Sequence, residues 1–575
     1  MEFETNDERR RYLSSRGRII VNACPGSGKT TSVAYKLNKL ACNWRQSYSG
    51  IACLSFTNVA KDEINEKYYS FSGKSLSHPH LVSTLDSFIN QYITLPHYQK
   101  VLGYTNRPVI IEDNTWLDNL PLHRFKFGNV PIQFRYSPSK IDITHDDQFV
   151  YDGHSLNLNP EDKNRFNRYC HEIKRIQFNN GLLKNSDSLY IAYKIISTNP
   201  EIVRLLSLRF PYIIIDEAQD TSEIQHLILE KLIENGLENI ELIGDPYQSL
   251  YEWREARPDL FLEKIASGKW TPLELSTCKR SVQPIVNAYS LFRMQEHNNL
   301  IGQKLQNEGD MPLHLIYFEE YDRLLTKYQE ISSGFDEKKV LVRGKSLLES
   351  LNATLQFDDY WKDSPFSPLQ FILSKSELDN GDIKAAINRL YKFVPLLLDT
   401  TIAGDELKKK LFYDDNKQNY ALKAQILTLI KNVPDYDISL LDWTAELENL
   451  CQRILGLSEA PSFTLKAGKF SPYHKRRVNE LYKQPSNYSK VTTIHKVKGK
   501  TFDSVMLVLS ANSTGQNLSI NDFCRPNQMP DEKKRLLYVA MSRPKWQLVV
   551  AIPKSAGMDQ EKATLLFGNC EIHEV

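Results

Sequence analysis

Short apolar runs that end in turn residues and lead into helix-period segments recur through the first quarter of the chain, at Arg18 to Asn22, Ile51 to Phe56 and Leu81 to Thr84. That rhythm of strand, loop and helix predicts a parallel α/β sheet. The series stops near residue 90 and resumes at Pro211, where Tyr212 to Ile215 and Ile240 to Ile243 read as further buried strands. A second block opens near Met311 with Leu313 to Phe318 and Lys339 to Val342, gives way to a helical stretch over about 350–465, and recovers strands at Val505 to Leu509 and Leu548 to Ile552. The fold class expected is α/β, with two parallel-sheet domains each interrupted by a mostly helical insertion. The first domain is expected from 1–90 and 210–290 around an insertion at 91–209, and the second from 291–344 and 491–575 around an insertion at 345–490. No short-period repeat is visible, although two sheets of similar rhythm are what a distant duplication leaves.

Length agrees, since 575 residues at roughly 150 per domain make about four folding units. Lysine and arginine (72) nearly balance aspartate and glutamate (70), so a nucleic-acid surface must be local rather than a property of overall charge. With 41% hydrophobic and 25% charged residues the chain is not a disordered polymer. The eight cysteines are scattered singly with no C-x-x-C pair, which predicts reduced thiols in the cytoplasm. The charged start MEFETNDERRRYL lacks a signal core, and no run approaches the roughly 18 apolar residues that span a bilayer. A soluble, untargeted protein with no membrane partner is expected.

Two segments carry chemistry. VNACPGSGKTT (21–31) lies between a predicted strand and a predicted helix, the context that a phosphate-binding loop requires. Glycines at 26 and 28 let backbone N–H groups turn inward, Lys29 adds a point charge, and Thr30 offers a hydroxyl to Mg²⁺. Ala23, Pro25, Gly26, Ser27, Gly28, Lys29, Thr30 and Thr31 are the candidate nucleotide-binding residues, with Ala23 standing where the general pattern begins on glycine. A glycine-rich turn with an exposed lysine is the bland alternative. In IIIDEAQDTS (213–222) a buried strand delivers Asp216 and Glu217 to a loop, which suits a metal ligand followed by a water-activating base, or simply a helix cap.

Taken with these, five further groups of residues, in order, resemble the superfamily-one DNA helicases of the UvrD/Rep/PcrA type. They are SFTNVAKDE (55–63) with STLDSF (83–88), GDPYQSLYEWREA (244–256), LSTCKRS (275–281), TIHKVKGKTFDSV (493–505) and EKKRLLYVAMSRPK (532–545). The resemblance implies two RecA-like domains with ATP and Mg²⁺ between them and single-stranded DNA, or DNA with single-stranded ends, across the top. It implies Thr30 and Asp216 as metal ligands and Glu217, Gln248, Arg280 and Arg543 as catalytic, Arg543 being the arginine finger. It also implies a DNA track of Phe56, Thr57, Asn58, Tyr251, Trp253 and His495. Stacking on aromatic rings suits a motor that must hold every base, while ordinary core packing is the alternative for Tyr251 and Trp253.

The sequence departs from that family in places. The first glutamine is Gln46, so no upstream glutamine reads adenine, and Lys279 replaces a base-stacking tyrosine. Thr501 replaces a glutamate near the ribose, and Asp86 a histidine in the second strand-contact motif. Among compact relatives the chain resembles the helicase-like subunit of the Gabija anti-phage system, which implies a nuclease partner. The expected function is an ATP-dependent, 3′ to 5′ single-stranded DNA translocase or helicase in repair or anti-phage defence. The alternative is a nucleotide- and DNA-sensing subunit that regulates a separate nuclease. The segment 466–490, with seven basic residues, one acid and four aromatics, is either a nucleic-acid patch or a solvated linker. The aromatic runs at 92–104 and 125–136 are either a docking surface or the insertion's own core.

Two outcomes follow from the sequence. Trp253→Ala should weaken single-strand binding by roughly 1–3 kcal/mol, one lost base stack, and leave basal hydrolysis intact. Titrations run beside thermal melts check it, since an equal loss of folding stability would assign the ring to the core. Lacking the family's base reader, the chain should turn over GTP or dATP within about one order of magnitude of ATP. A steady-state assay showing strict ATP preference would reveal another reader.

Overall fold

The computed structural model describes every residue except 1–2, 4, 104–106, 112–113, 251–255, 298, 306–309, 353–358, 363–366, 380–382, 392, 399–419, 483–490, 558–560 and 562–565. The chain divides into two compact units, one of Met1–Glu319, Gly334–Glu337 and Thr493–Val575, the other of Glu320–Ser333 and Lys338–Thr492. Among the described residues no helix is long and apolar enough to cross a membrane.

The first unit contains a six-stranded sheet of β1 (Arg18–Ala23), β2 (Ile51–Ser55), β3 (Leu81–Thr84), β4 (Tyr212–Asp216), β5 (Asn239–Gly244) and β6 (Thr271–Leu275). All pair in parallel, in the order β6-β1-β5-β4-β2-β3. The central strands read as unbroken apolar runs because both faces are covered. Successive residues alternate between those faces: Ile20, Leu54, Ile213, Ile215 and Leu242 enter one core. Ile19, Val21, Cys53, Ile214 and Ile243 enter the other, against Val33 and Leu37 of helix α2 (Lys29–Cys42). Helix α1 (Asp7–Ser14) precedes the sheet and α3 (Asn58–Ser72) follows β2. Because β1, β5 and β4 are neighbours, the loops leaving their carboxyl ends converge on one rim, where ligands of open α/β sheets bind.

Between β3 and β4, helices α4 (Pro160–Asn179) and α5 (Asn185–Thr198) dominate the intervening segment. Phe166, Tyr169 and Ile173 of α4 close a small core with Leu117, Ile132 and Tyr136, and Phe125 and Phe127 pack on it. Tyr92 packs edge-on against Phe210. The aromatic density of 125–136 therefore serves the insertion's own core, apart from Phe134, which is 70% exposed. Tyr104 lies outside the described residues. Helix α6 (Glu223–Glu234) follows β4, its start closed by Ser222 and Gln225 as a capping box.

Four more parallel strands of the same unit, β7 (Leu313–Phe318), β8 (Phe502–Val508), β9 (Pro544–Pro553) and β10 (Glu571–Glu574), run side by side in the order β8-β9-β7-β10. Helix α7 (Glu532–Met541) leads directly into β9. The second unit is mostly helical. Helices Leu369–Asp379, Ile383–Tyr391, Tyr420–Lys431 and Leu440–Leu455 gather around Trp361 and Trp443, both fully buried with rings 5.8 Å apart. Phe470, Tyr473 and Tyr482 turn in against Tyr360, so these aromatics of the basic segment pack a core rather than standing ready for bases. The remainder of that segment, 483–490, is outside the described residues.

Beneath the first sheet, Lys36 of α2 reaches Glu241 of β5 at 2.5 Å with both side chains buried. Breaking such a pair from one side strands a charge. Lys36→Met should cost about 3–5 kcal/mol, read as a lower urea midpoint, and Lys36→Met with Glu241→Met should recover most of it. A single variant as stable as the parent would show that the pair contributes nothing.

Candidate active site

The turn between β1 and α2 is shaped for a ligand that approaches the backbone. Gly26 and Gly28 have φ of +73° and +75°, which side-chain-bearing residues adopt at a cost. A Cβ on Gly26 would lie 2.5 Å from the Arg280 Cβ, so the loop has no room for one. Arg9 of α1 donates to the Ser27 carbonyl at 2.5 Å and fastens the turn from behind. The first turn of α2 opens here, with its unpaired N–H groups and the positive end of the helix dipole.

The end of β4 supplies the acids. Thr30 Oγ1 donates to Asp216 Oδ2 at 2.9 Å, and Lys29 Nζ pairs with Glu217 Oε1 at 2.8 Å. Glu217 sits at φ +57°, an uncommon backbone region for a residue of its size and one that collects at functional sites. Gln219 holds it there, donating to Glu217 Oε2 at 2.5 Å while accepting from the Asp245 N–H at 3.0 Å. The two acids titrate apart. Burial and the adjacent Glu217 push the Asp216 carboxyl up to about 6. Burial opposes ionisation of Glu217 as well, but Lys29 and Lys498 outweigh it and hold that carboxyl at about 2.

The loop after β5 brings in Gln248, whose Nε2 donates to Asp245 Oδ2 at 2.8 Å. Its Oε1 accepts from Arg543 Nη2 at 2.8 Å. Arg543 is buried between α7 and β9, and its Nε donates to the Val539 carbonyl at 2.9 Å. Burial, with Arg280 adding, lowers its pKa to about 9, which still leaves it charged at neutral pH. Arg280 Nη1 donates to the Ser542 carbonyl at 3.0 Å.

These groups surround a cavity of about 710 Å³. Pro25, Gly26, Ser27, Gly28, Lys29, Thr30, Phe56, Thr57, Glu217, Gln248, Arg280, His495 and Arg543 line it. Ala23, Thr31, Asn58 and Asp216 do not line it, although Asp216 reaches it through Thr30. The Thr57 hydroxyl accepts from the Ala60 N–H at 3.2 Å and so caps α3. Tyr251 and Trp253 lie outside the described residues.

The cavity suits a nucleoside triphosphate with a divalent cation. Ser27 Oγ is buried without a hydrogen-bond partner, the glycine cradle has no room for a Cβ, and a hydroxyl and a carboxylate offer hard oxygen ligands.

Several lining residues had no place among the candidate site residues. Lys279, Lys304, Lys496, Lys498, Lys500 and Lys545 line the cavity and make it strongly basic. Lys498 pairs with buried Asp220 at 2.5 Å. Arg293, in no recognised motif, donates to the Tyr538 hydroxyl at 2.7 Å and approaches Asp245 Oδ1 at 3.4 Å, while Tyr538 donates to Asp245 Oδ2 at 3.0 Å. Tyr538 and Asp245 stood inside quoted motifs and Arg293 did not, so the arginine left no signal to find.

Comparison with known proteins agrees with this geometry. The model of the UvrD/REP helicase N-terminal domain matches residues 5–267, and that of the UvrD-like helicase C-terminal domain matches 155–555, more than half of the chain. A probable DNA helicase II homolog of Mycoplasma pneumoniae is 21% identical over 94% of this chain and 83% of its own length. Gabija protein GajB of Bacillus cereus is 24% identical over 94% of each, and DNA helicase II of Haemophilus influenzae is 25% identical over 53% of this chain and 42% of its own length. The chain belongs to the UvrD-like helicase family and is an ATP-hydrolysing enzyme of the DNA-helicase class.

Proposed function

We propose that the chain couples ATP hydrolysis in this cleft to translocation along single-stranded DNA, 3′ to 5′. The observation that carries the reading is the Arg543–Gln248 hydrogen bond, which joins the turn entering β9 to the loop leaving β5 across the phosphate-sized space above the glycine turn. Lys29 and the N–H groups of 26–30 hold the phosphates. Thr30 and Asp216 would hold Mg²⁺, which would supply charge neutralisation. Glu217 takes the proton of the attacking water. Glu217 pairs with Lys29 at 2.8 Å, and a phosphate that takes the lysine as its partner would free the carboxylate for the water. Gln248 and Arg280 contact the terminal phosphate, and Arg543 stabilises the charge that develops there. Since these contacts come from loops of two sheets, each cycle draws the loops together and lets them part.

Single-stranded DNA would run over Phe56, Thr57, Asn58 and His495, with Tyr251 and Trp253 as stacking platforms. In this reading 1–90 and 210–290 form the first motor domain and 291–344 with 491–575 the second, with insertions at 91–209 and 345–490. Work in DNA repair or anti-phage defence in the cytoplasm fits such a motor. A second reading, a sensing subunit that regulates a separate nuclease with little unwinding of its own, is favoured by the end-to-end match to Gabija protein GajB, 94% of each chain.

Glu217→Gln should preserve nucleotide affinity and lower DNA-stimulated turnover by orders of magnitude, because only the proton acceptor is lost. Lys29→Ala should weaken nucleotide binding itself. Binding titrations beside steady-state assays check both, and turnover by Glu217→Gln at the parental rate would remove Glu217 from the role. DNA-stimulated hydrolysis without movement on a tracked single strand would favour the sensing subunit.

A further inference from the structure

A polar row crosses the otherwise apolar sheet of β7 to β10. Ser504 on β8 pairs in register with Gln547 on β9, and both are buried with His314 on β7, whose register partner on β9 is Val549; His573 on the edge strand β10 continues the row on the diagonal, two positions beyond Glu571, the register partner of His314. Ser504 Oγ donates to Gln547 Oε1 at 2.7 Å, Gln547 Nε2 stands 3.2 Å from His314 Nε2, and His314 Nδ1 stands 3.2 Å from His573 Nε2. Glu571, facing His314 across the β7–β10 register, places Oε2 at 3.4 Å from His314 Nδ1 and Oε1 at 3.8 Å from His573 Nε2. None of these residues lines the nucleotide cleft. Polar side chains buried in a sheet cost stability unless each finds a partner, so this row is held by its own contacts.

We propose that His314 Nδ1, His573 Nε2 and the Glu571 carboxylate form a zinc site that clamps the last strand to the sheet. Two imidazoles and a carboxylate are a ligand set that zinc favours. The three ligand atoms lie within 4.8 Å of one another. Bonds of about 2.0–2.1 Å at tetrahedral angles put ligand atoms about 3.3 Å apart. The two separations from His314 Nδ1, 3.2 Å to His573 Nε2 and 3.4 Å to Glu571 Oε2, meet that spacing. The oxygen nearer His573 is Oε1, at 3.8 Å, so a turn of the exposed carboxylate that swings Oε2 toward His573 closes the third edge.

The rest of the row supplies what a ligating histidine needs behind it. With His314 bound through Nδ1, its Nε2–H must find an acceptor. Turning the Gln547 amide end for end offers Oε1 to that N–H and donates Nε2 to the Ser504 hydroxyl, so the row remains satisfied. The two amide orientations differ only in which atom is oxygen. The exposed Glu571 and half-buried His573 give the ion a path from solvent and leave a fourth position for water. Magnesium, which prefers six oxygens, is excluded, so the site is chemically distinct from the nucleotide cleft.

The test uses the untagged full chain, stripped with a chelator and titrated with ZnCl₂ against a chromophoric competitor. One equivalent should bind at micromolar affinity or tighter and raise the melting temperature by several degrees, as binding to the folded state requires. Co²⁺ in its place should give tetrahedral visible bands without thiolate charge transfer, which separates this site from the eight cysteines. His573→Ala and Glu571→Gln should melt like the metal-free parent, keep its basal hydrolysis and bind zinc at least tenfold more weakly. No stoichiometric binding by the parent, a thiolate-type Co²⁺ spectrum, or undiminished binding by His573→Ala would overturn the proposal.

Discussion

Four buried or half-buried carboxylates crowd the rim of the first sheet, and their neutralisation organises everything around them. Asp216, Glu217, Asp220 and Asp245 sit at or just beyond the carboxyl ends of β4 and β5, where like charges destabilise one another unless cations intervene. The first sheet's own loop supplies one cation, Lys29. The others come from later in the chain: Lys498 to Asp220, Arg293 to Asp245, and Arg543 through Gln248. The acid rim thus selects a basic counter-surface on residues beyond 290, and the cavity between them acquires a charge complementary to phosphate. A triphosphate entering it adds negative charge, which must redistribute these pairings. That redistribution is a physical route from nucleotide binding to movement of the loops.

Much of this was legible in the sequence because it rests on local rules. The buried strands of the first sheet announced themselves as apolar runs, and β3 and β7 coincide with their predicted bounds. The strands that escaped notice are peripheral. β6 reads TPLEL with three exposed positions, and β10 reads EIHE, so neither carries the apolar signature of a covered strand. The glycine turn and the paired acids were visible because their chemistry needs fixed residue types at fixed spacing. Arg293 was invisible because its place beside Asp245 is set by tertiary packing, and a lone arginine has no spacing to betray it. The basic segment at 466–490 stayed open between a nucleic-acid patch and a solvated linker, since composition cannot distinguish an aromatic that stacks on a base from one that faces Tyr360.

The departures from the family pattern acquire physical sense in the fold. Asp86, where relatives carry a strand-contact histidine, accepts from Gln225 Nε2 at 2.6 Å and from Asn185 Nδ2 at 2.7 Å. It therefore ties the start of α5 to α6, so this carboxylate holds one helix against the other. A histidine there would lose one of two acceptor contacts, since a neutral imidazole offers a single acceptor nitrogen. Lys279 departs differently. Its backbone N–H donates to the Gly26 carbonyl at 2.9 Å, so the strand that carries it braces the glycine turn whatever its side chain, and the side chain faces the cavity. An ammonium group in that wall adds positive charge to a lining already rich in lysine and presents no ring face on which a base could stack.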